Sequence, residues 1–202
     1  MRASSAASRG PQSRVLRIIA GHWRGRRWRF PAQVAIRPTP DRVRETLFNW
    51  LGPRVRGMRC LDPFAGSGAL GLEALSRGAA QVVFIERDPT AARELARLLT
   101  EWGAVGASVT CADARSYLEG SPEPFDLVFL DPPFDSGLLA GIAERLERGG
   151  WLAPEALIYA ECAAREGLPA LPPNWQPVKA KRAGEVGYHL LERSPAAAPK
   201  PR

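Results

Sequence analysis

The sequence predicts an α/β fold in which seven strands form one sheet with helices on both faces. Three observations lead to this prediction. Short apolar runs alternate with helical patterns, one run is followed by a glycine-rich turn, and another ends in Asp-Pro-Pro-Phe. With 202 residues and 45% hydrophobic content, the chain can build one sizeable core. A small β-hairpin and a helix are expected to precede this sheet.

The N-terminal part of the chain is strongly basic. Residues 1–60 contain fourteen arginines and two acidic residues, a net charge of +12, whereas the remaining residues carry −5. Apolar and basic residues alternate around Gly21 and Gly25, which predicts a small hairpin. Arginines mixed with tryptophans favour contact with phosphates and unstacked bases of a nucleic acid. The alternative is a solvated basic face without a partner.

The segment 36–51 predicts a helix entry followed by an amphipathic helix. Thr39 is a plausible N-cap with Pro40 at the first helical position, and an apolar stripe at helical spacing predicts a core-facing side. Arg42 and Arg44 lie off this stripe. Surface solvation and ligand contact therefore both remain open for these two arginines.

A glycine-rich turn follows the first strand of the predicted sheet. Gly66 and Gly68 permit a tight bend and close approach of the backbone to a ligand, and Gly71 permits close helix packing. The next strand ends in Glu86, 24 residues after Asp62, where a carboxylate suits a ribose hydroxyl pair. These features alone fit NAD and S-adenosylmethionine equally well.

Two further carboxylates favour the methyl donor. Asp62, just before the glycines, would repel a pyrophosphate but suits the cationic sulfonium and α-amino groups of S-adenosylmethionine. Asp113 follows a third short strand, 108–111, and can accept a hydrogen bond from an adenine amine. We therefore expect S-adenosylmethionine at this edge of the sheet.

The run 127–134 ends in Asp-Pro-Pro-Phe and predicts a strand that stops at its prolines. Asp131 and the Pro132 carbonyl are two hydrogen-bond acceptors, and Phe134 offers a flat face for stacking. Such a set fits an exocyclic amine on a planar base. A strand-ending turn with an incidental aspartate is the alternative.

Several N-terminal motifs accompany the glycine turn and Asp-Pro-Pro-Phe: Arg17-Ile18-Ile19-Ala20-Gly21, Trp23-Arg24-Gly25-Arg26, Arg37-Pro38-Thr39 and Asp41-Arg42-Val43-Arg44-Glu45. With these motifs, the sequence resembles class I methyltransferases, whose Rossmann-like fold has a seven-stranded sheet, and more closely the bacterial 16S ribosomal RNA guanine-N2 methyltransferase family. The resemblance implies methyl transfer from S-adenosylmethionine to the exocyclic N2 amine of a specific guanine in 16S rRNA, within an assembled or assembling 30S subunit.

The motifs and the resemblance together define three groups of site residues. The predicted catalytic residues are Asp131, Pro132, Pro133 and Phe134. The predicted donor-binding residues are Asp62, Phe64, Gly66, Ser67, Gly68, Glu86, Asp113 and Ala114. The predicted RNA-binding residues are Arg17, Trp23, Arg24, Arg26, Arg27 and Arg37. No metal is expected, because the three cysteines lack metal-ligand spacing.

The expected organisation has four parts: a disordered leader (1–13), a basic RNA-binding module (14–55), the methyltransferase domain (56–193) and a disordered tail (194–202). We expect a cytoplasmic monomer that does not contact a membrane, since no stretch is apolar enough to span one.

Three other functions compete with RNA methylation. A DNA amino-methyltransferase acting on adenine N6 or cytosine N4 would use the same catalytic loop. An NAD-linked oxidoreductase would explain the glycines but leaves Asp-Pro-Pro-Phe without a role. An RNA-binding assembly factor that retains the fold without catalysis is the remaining alternative.

Overall fold

The computed structural model describes residues 14–30 and 39–194. The strands of this part of the chain are β1 (Arg14–Arg17), β2 (Arg27–Phe30), β3 (Arg59–Asp62), β4 (Gln81–Glu86), β5 (Ala107–Cys111), β6 (Phe125–Leu130), β7 (Leu152–Ala163), β8 (Trp175–Ala183) and β9 (Val186–Arg193). The α-helices are α1 (Asp41–Leu51), α2 (Ala69–Ser76), α3 (Pro89–Glu101), α4 (Ala114–Tyr117) and α5 (Leu138–Arg148).

Seven of these strands form one sheet, in the order β5-β4-β3-β6-β7-β9-β8. The pairs from β5 to β7 are parallel, whereas β9 runs antiparallel to both β7 and β8. The predicted seven-stranded α/β sheet is therefore confirmed. The chain proceeds outward from β3 to β5 and then returns to β6, so the strand order reverses between β3 and β6, where open sheets bind ligands.

Helices cover both faces of the sheet, because successive strand residues point to opposite sides. Cys60, Val82 and Phe84 pack into one buried cluster with apolar residues of α1, α2 and α3. Leu61 and Val83 pack into a second cluster with residues of α4 and α5. Burial on both faces explains why these strands have nearly continuous apolar sequences.

Strands β1 and β2 form the predicted antiparallel hairpin, which packs against α2. The Glu73 carboxylate in α2 accepts hydrogen bonds from the backbone amides of Ile19 (2.8 Å) and Ala20 (3.0 Å). The Ser76 hydroxyl donates to the Ala20 carbonyl over 2.6 Å. Glu73 is also paired with the guanidinium of the fully buried Arg44. The hairpin is thereby fixed to the helix that follows the glycine turn.

The start of α1 differs from the prediction. The helix begins at Asp41 with Pro40 as N-cap, and no side chain caps it. Thr39 is buried, and its hydroxyl donates to Asp131 instead. The expected Thr39 cap is wrong because the hydroxyl has a long-range partner.

Several expectations fall outside the described residues. These are the leader 1–13, Arg37 and all of the expected tail except Ser194. Among the helices in 14–30 and 39–194, none combines the length and apolarity needed to cross a bilayer.

Candidate functional site

A cavity of about 460 Å³ opens at the carboxyl ends of the central strands. Its volume lies in the range of ordinary small-molecule sites. It is lined by all four predicted catalytic residues and by every predicted donor-binding residue except Gly68. Two groups of residues that are far apart in the sequence therefore line one cavity.

The glycine turn is held by Glu86 at the end of β4. One carboxylate oxygen, Oε2, accepts from the Gly66 amide at 2.8 Å, and the other, Oε1, accepts from the Asp88 amide at 2.7 Å. Gly66 and Gly68 both adopt positive φ, of 52° and 76°. Glu86 therefore shapes the turn as well as lining the cavity, and its remaining lone pairs can accept further hydrogen bonds.

Gly68 and Gly71 serve packing more than direct ligand contact. A Cβ on Gly68 would lie 2.6 Å from Leu95 Cδ1, so this side of Gly68 packs against α3. A Cβ on Gly71 would lie 2.2 Å from the Phe84 ring. The predicted close packing of the helix at Gly71 is therefore confirmed.

Asp62 is a buried carboxyl group at the end of β3, with 3% of its surface exposed. It accepts a hydrogen bond from the Gly71 amide at 3.2 Å. Burial raises the pKa of Asp62 to about 7, with smaller contributions from the nearby Asp131 and Glu86 carboxylates. A cationic ligand would stabilise the ionised form, so this carboxyl group fits the charge of S-adenosylmethionine.

Asp113 caps the short helix α4 by accepting a hydrogen bond from the Arg115 amide at 2.9 Å. The Arg115 guanidinium also donates to it at 3.0 Å and holds its pKa below the usual range. Asp113 is therefore ionised and pre-oriented at the cavity wall. It keeps acceptor capacity for an amine, which is the role predicted from the sequence.

Asp131 follows the last residue of β6 and is largely buried. Its Oδ2 accepts a hydrogen bond from the Thr39 hydroxyl at 3.1 Å. Burial raises the pKa of Asp131 to about 6, while the hydrogen bond from Thr39 opposes the rise. The group is thus mostly ionised at neutral pH and can accept hydrogen bonds.

The two prolines lead into a short 3-10 helix, Phe134–Ser136. The Pro133 carbonyl accepts from the Ser136 amide at 3.0 Å, which fixes the loop. Phe134 is half-buried at the cavity wall. An aromatic ring and the Asp131 carboxylate therefore border the same space.

Thr39, Glu161 and Val186 also line the cavity but were not among the predicted site residues. Glu161 had a usable signal, because it ends the apolar run 156–160 as Asp131 ends its own run. No local sequence pattern marks Thr39 and Val186 as cavity residues, since only tertiary structure brings them to the cavity.

The predicted RNA-binding residues divide into two sets. Arg17, Arg24, Arg26 and Arg27 are exposed on the hairpin. Trp23 is instead 8% exposed, and its ring packs edge-on against Trp102. This corrects the stacking role expected for Trp23: the ring belongs to the core because the hairpin folds back onto α2 and α3.

The role left open for Arg44 is structural. Its guanidinium is wholly buried and donates to the Arg17 carbonyl at 2.9 Å and to Asp41 at 2.6 Å. Arg42 is exposed on the same helix. Among the described residues, no group of three or more His, Cys, Asp or Glu side chains is arranged to hold a metal ion.

The sheet order, the glycine turn and the acid-lined cavity define a class I methyltransferase, a class of enzymes whose methyl donor is S-adenosylmethionine. The family model described as conserved hypothetical protein 95 matches residues 16–192. The chain belongs to that family.

Relatives with established names support this assignment. The chain is 50% identical over 178 residues to the ribosomal RNA small subunit methyltransferase D of Escherichia coli, covering 88% of this chain and 90% of that protein. It is 44% identical over 182 residues to the protein of the same name in Haemophilus influenzae, covering 88% and 93%.

Solved structures agree with the sequence comparison. A methyltransferase structure from Escherichia coli superposes with a TM-score of 0.83 at 48% identity, covering 90% of this chain and 99% of that one. A Haemophilus influenzae methylase superposes with a TM-score of 0.76 at 42% identity, covering 89% and 99%. An RNA methyltransferase from Salinibacter ruber, solved with S-adenosyl-L-homocysteine, shares the fold at 17% identity, with a TM-score of 0.58 and coverage of 82% and 98%.

Proposed function

We propose that this protein transfers a methyl group from S-adenosylmethionine to the exocyclic N2 amine of a guanine in 16S rRNA, within an assembled or assembling 30S subunit. Asp131 carries the proposal, because its mostly ionised carboxyl group follows β6 directly and lines the cavity that also holds the glycine turn. The relatives named ribosomal RNA small subunit methyltransferase D support an rRNA substrate.

The donor fits the residues that line the cavity. The buried carboxyl group of Asp62 suits a cationic ligand, Glu86 suits ribose hydroxyls, and Asp113 suits an adenine amine. S-adenosylmethionine supplies an electrophilic methyl group on a sulfonium. The buried position of Asp62, at 3% exposure, keeps water from screening its charge.

The chain's own contribution is to hold and orient the guanine. Guanine N1–H and N2–H point in the same direction, so an ionised Asp131 can accept both. The Pro132 carbonyl accepts the second N2 hydrogen, and Phe134 stacks on the base. As the N2 nitrogen bonds to the methyl carbon, the carbon–sulfur bond of the donor would break and S-adenosylhomocysteine would be left. The N2 nitrogen also loses one proton, which Asp131 can accept because burial raises its pKa to about 6. Much of the acceleration then comes from positioning.

The exposed arginines of the hairpin supply the RNA contact. Arg24, Arg26 and Arg27 are exposed on the hairpin, whose turn is hydrogen-bonded through Trp23 to Ser76 at the end of α2. They can neutralise phosphates and so position the substrate without reading its sequence. Selection of one guanine then depends on RNA shape and on ribosomal proteins already in place. We also propose that the enzyme acts as a monomer.

The decisive test is methylation with labelled S-adenosylmethionine on three substrates: naked 16S rRNA, unmethylated small subunits and duplex DNA. The labelled nucleoside is identified after digestion. We expect N2-methylguanosine from RNA or subunits. A preference for one of the two will show at which stage of subunit assembly the enzyme acts. Asp131→Ala should lose this activity while still binding the donor.

Other outcomes would contradict the proposal. Label in DNA adenine or cytosine would favour a DNA amino-methyltransferase. Label on another RNA position would refute guanine N2. RNA binding without methylation on any substrate would indicate an assembly factor.

A further inference from the structure

Glu161 is a second buried carboxyl group beside Asp131, with 3% of its surface exposed. Leu130 of β6 pairs with Ala160 of β7, so the next residues, Asp131 and Glu161, are neighbours across two parallel strands. Both line the cavity. The reaction as proposed above uses only one of these two carboxyl groups.

The surroundings of Glu161 favour a neutral carboxyl group. The Tyr159 hydroxyl donates to Oε1 of Glu161 at 2.6 Å, a hydrogen bond that by itself lowers the pKa, and the cross-strand partner of Glu161 is Tyr188. Burial, and then the Asp131 charge, raise the pKa of Glu161 well above its usual value. Across 14–30 and 39–194, no lysine or arginine forms an ion pair with Glu161 or Asp131.

We propose that Glu161 is a positioning residue, which stays protonated at neutral pH and donates a hydrogen bond to the ionised Asp131. This inference deepens the proposed function and rests on it. The pairing of Leu130 with Ala160 puts Asp131 and Glu161 side by side at the carboxyl end of β6, and both line the cavity. Two adjacent carboxylates without a cation would repel each other, so one proton between them is the stable arrangement.

The proposed hydrogen bond would leave Asp131 with a defined orientation. A carboxylate has about four lone-pair positions for hydrogen bonds. Thr39 occupies one at 3.1 Å and the Glu161 proton a second, so two remain for the guanine N1–H and N2–H. Glu161 would therefore aim the carboxylate without touching the substrate.

Other titratable groups lie near this pair. Tyr159 and Tyr188 contribute to the surroundings of Glu161, Cys162 is its neighbour in β7, and Asp62 lies near Asp131. Above the pKa of Glu161, loss of its proton would place two negative charges side by side and displace Asp131. The activity should therefore decline at alkaline pH through this group.

The first experiment compares Glu161→Gln and Glu161→Ala with the wild-type enzyme. Glutamine keeps a hydrogen-bond donor but cannot ionise, whereas alanine removes the donor. The control is Glu155→Gln, an exposed carboxyl group on the same strand. Single-turnover rates are measured against pH, together with the affinity for S-adenosylmethionine and the identity of the labelled nucleoside.

We expect Glu161→Ala to lose about 10- to 100-fold in rate, the usual cost of one strong hydrogen bond to a charged group. Its affinity for the donor should change less than about twofold, because the other cavity residues hold the donor. Glu161→Gln should retain most of the neutral-pH rate and lose the alkaline decline. Equal losses in both folded variants, or no loss in either, would overturn the proposal.

A second measurement does not depend on activity. The infrared difference spectrum of wild type minus Glu161→Gln at neutral pH should contain the carbonyl stretch of a protonated carboxyl group. A carboxylate signal alone would overturn the proposal, even if the enzyme methylates guanine N2 as expected. Conversely, methylation of another base would refute the proposed substrate while leaving the protonated Glu161 in place.

Discussion

The Thr39 hydroxyl donates a hydrogen bond to Asp131 Oδ2 over 3.1 Å, joining two residues 92 positions apart. Thr39 precedes α1, and Asp131 directly follows β6. The residue that enters the first helix therefore stabilises the ionised form of the proposed catalytic carboxyl group.

Thr39→Val should lower the rate of methyl transfer by about 5- to 10-fold, the equivalent of one hydrogen bond. The Thr39 hydrogen bond lowers the pKa of Asp131, so its removal should raise that pKa above about 6. The acid side of the pH–rate profile should move to higher pH. Thr46→Val is the matched control, because its hydroxyl donates only to the Arg42 carbonyl within α1. If the acid limb of the pH–rate profile does not move in Thr39→Val, Thr39 does not set the pKa of Asp131.

Binding of S-adenosylmethionine should release a proton from Asp62. The pKa of Asp62 is raised to about 7, so part of the free enzyme is protonated there at neutral pH, and a bound cation favours the ionised form. Affinity should therefore increase as pH rises through about 7, by less than about tenfold per pH unit.

Asp62→Asn should flatten this pH dependence and weaken donor binding. Titration calorimetry in buffers of different ionisation enthalpy measures the proton count directly. Asp126→Asn should leave the count unchanged, since Asp126 lies at the start of β6 and accepts from the Arg59 amide. Equal proton release by Asp62→Asn and wild type would assign the proton to another group.

Gly71→Ala should destabilise the fold by about 1–3 kcal/mol, because an added methyl group overpacks a filled core. The new Cβ would lie 2.2 Å from the Phe84 ring. Gly141→Ala is the control within helix α5, where a Cβ has no neighbour within 4 Å. That substitution should stabilise by about 0.5–1 kcal/mol through helix propensity. Urea unfolding of both variants provides the comparison.

Replacing Arg24 and Arg27 by glutamine should weaken RNA binding without changing donor affinity. Each lost phosphate contact should reduce the slope of log affinity against log salt by roughly 0.7–0.9. Arg148→Gln at the end of α5 is the control, since this helix covers the opposite face of the sheet. If all three substitutions weaken binding alike, the hairpin has no special role.

Trp23→Ala should act on stability rather than on RNA binding alone. Its ring is buried against Trp102, with centroids 5.2 Å apart, so truncation should cost about 3–5 kcal/mol. Thermal and urea denaturation should reveal the loss. If Trp23→Ala keeps near-wild-type stability but binds RNA more weakly, direct contact of Trp23 with RNA would be supported instead.

Local signals predicted most of the sheet and of the cavity wall. Asp62, Glu86 and Asp131 each follow an apolar run, and the carboxyl ends of parallel strands converge at one edge. Gly71 was predictable because the helix-packing glycine sits at a fixed offset in the turn. In these cases, the residues that create the feature are close together in the sequence.

Features that depend on tertiary packing were not predictable in the same way. A threonine before Pro40 has the sequence signature of an N-cap, and only the placement of α1 beside β6 directs its hydroxyl to Asp131. Trp23 lies among arginines, as an RNA-stacking residue would, but the folded hairpin buries it. The local sequence therefore indicated what kind of contact each side chain can make, but not which group it contacts.

The attachment of the hairpin to α2 has a consequence for how the two substrates are linked. Glu73 and Ser76 anchor residues 19–20, and the Trp28 indole donates to the Ser67 carbonyl in the glycine turn at 3.1 Å. Deleting the hairpin would therefore expose core surface and release the turn. An enzyme without the hairpin should therefore bind both S-adenosylmethionine and RNA more weakly. The hairpin could then not be replaced by another RNA-binding element without disturbing the donor site.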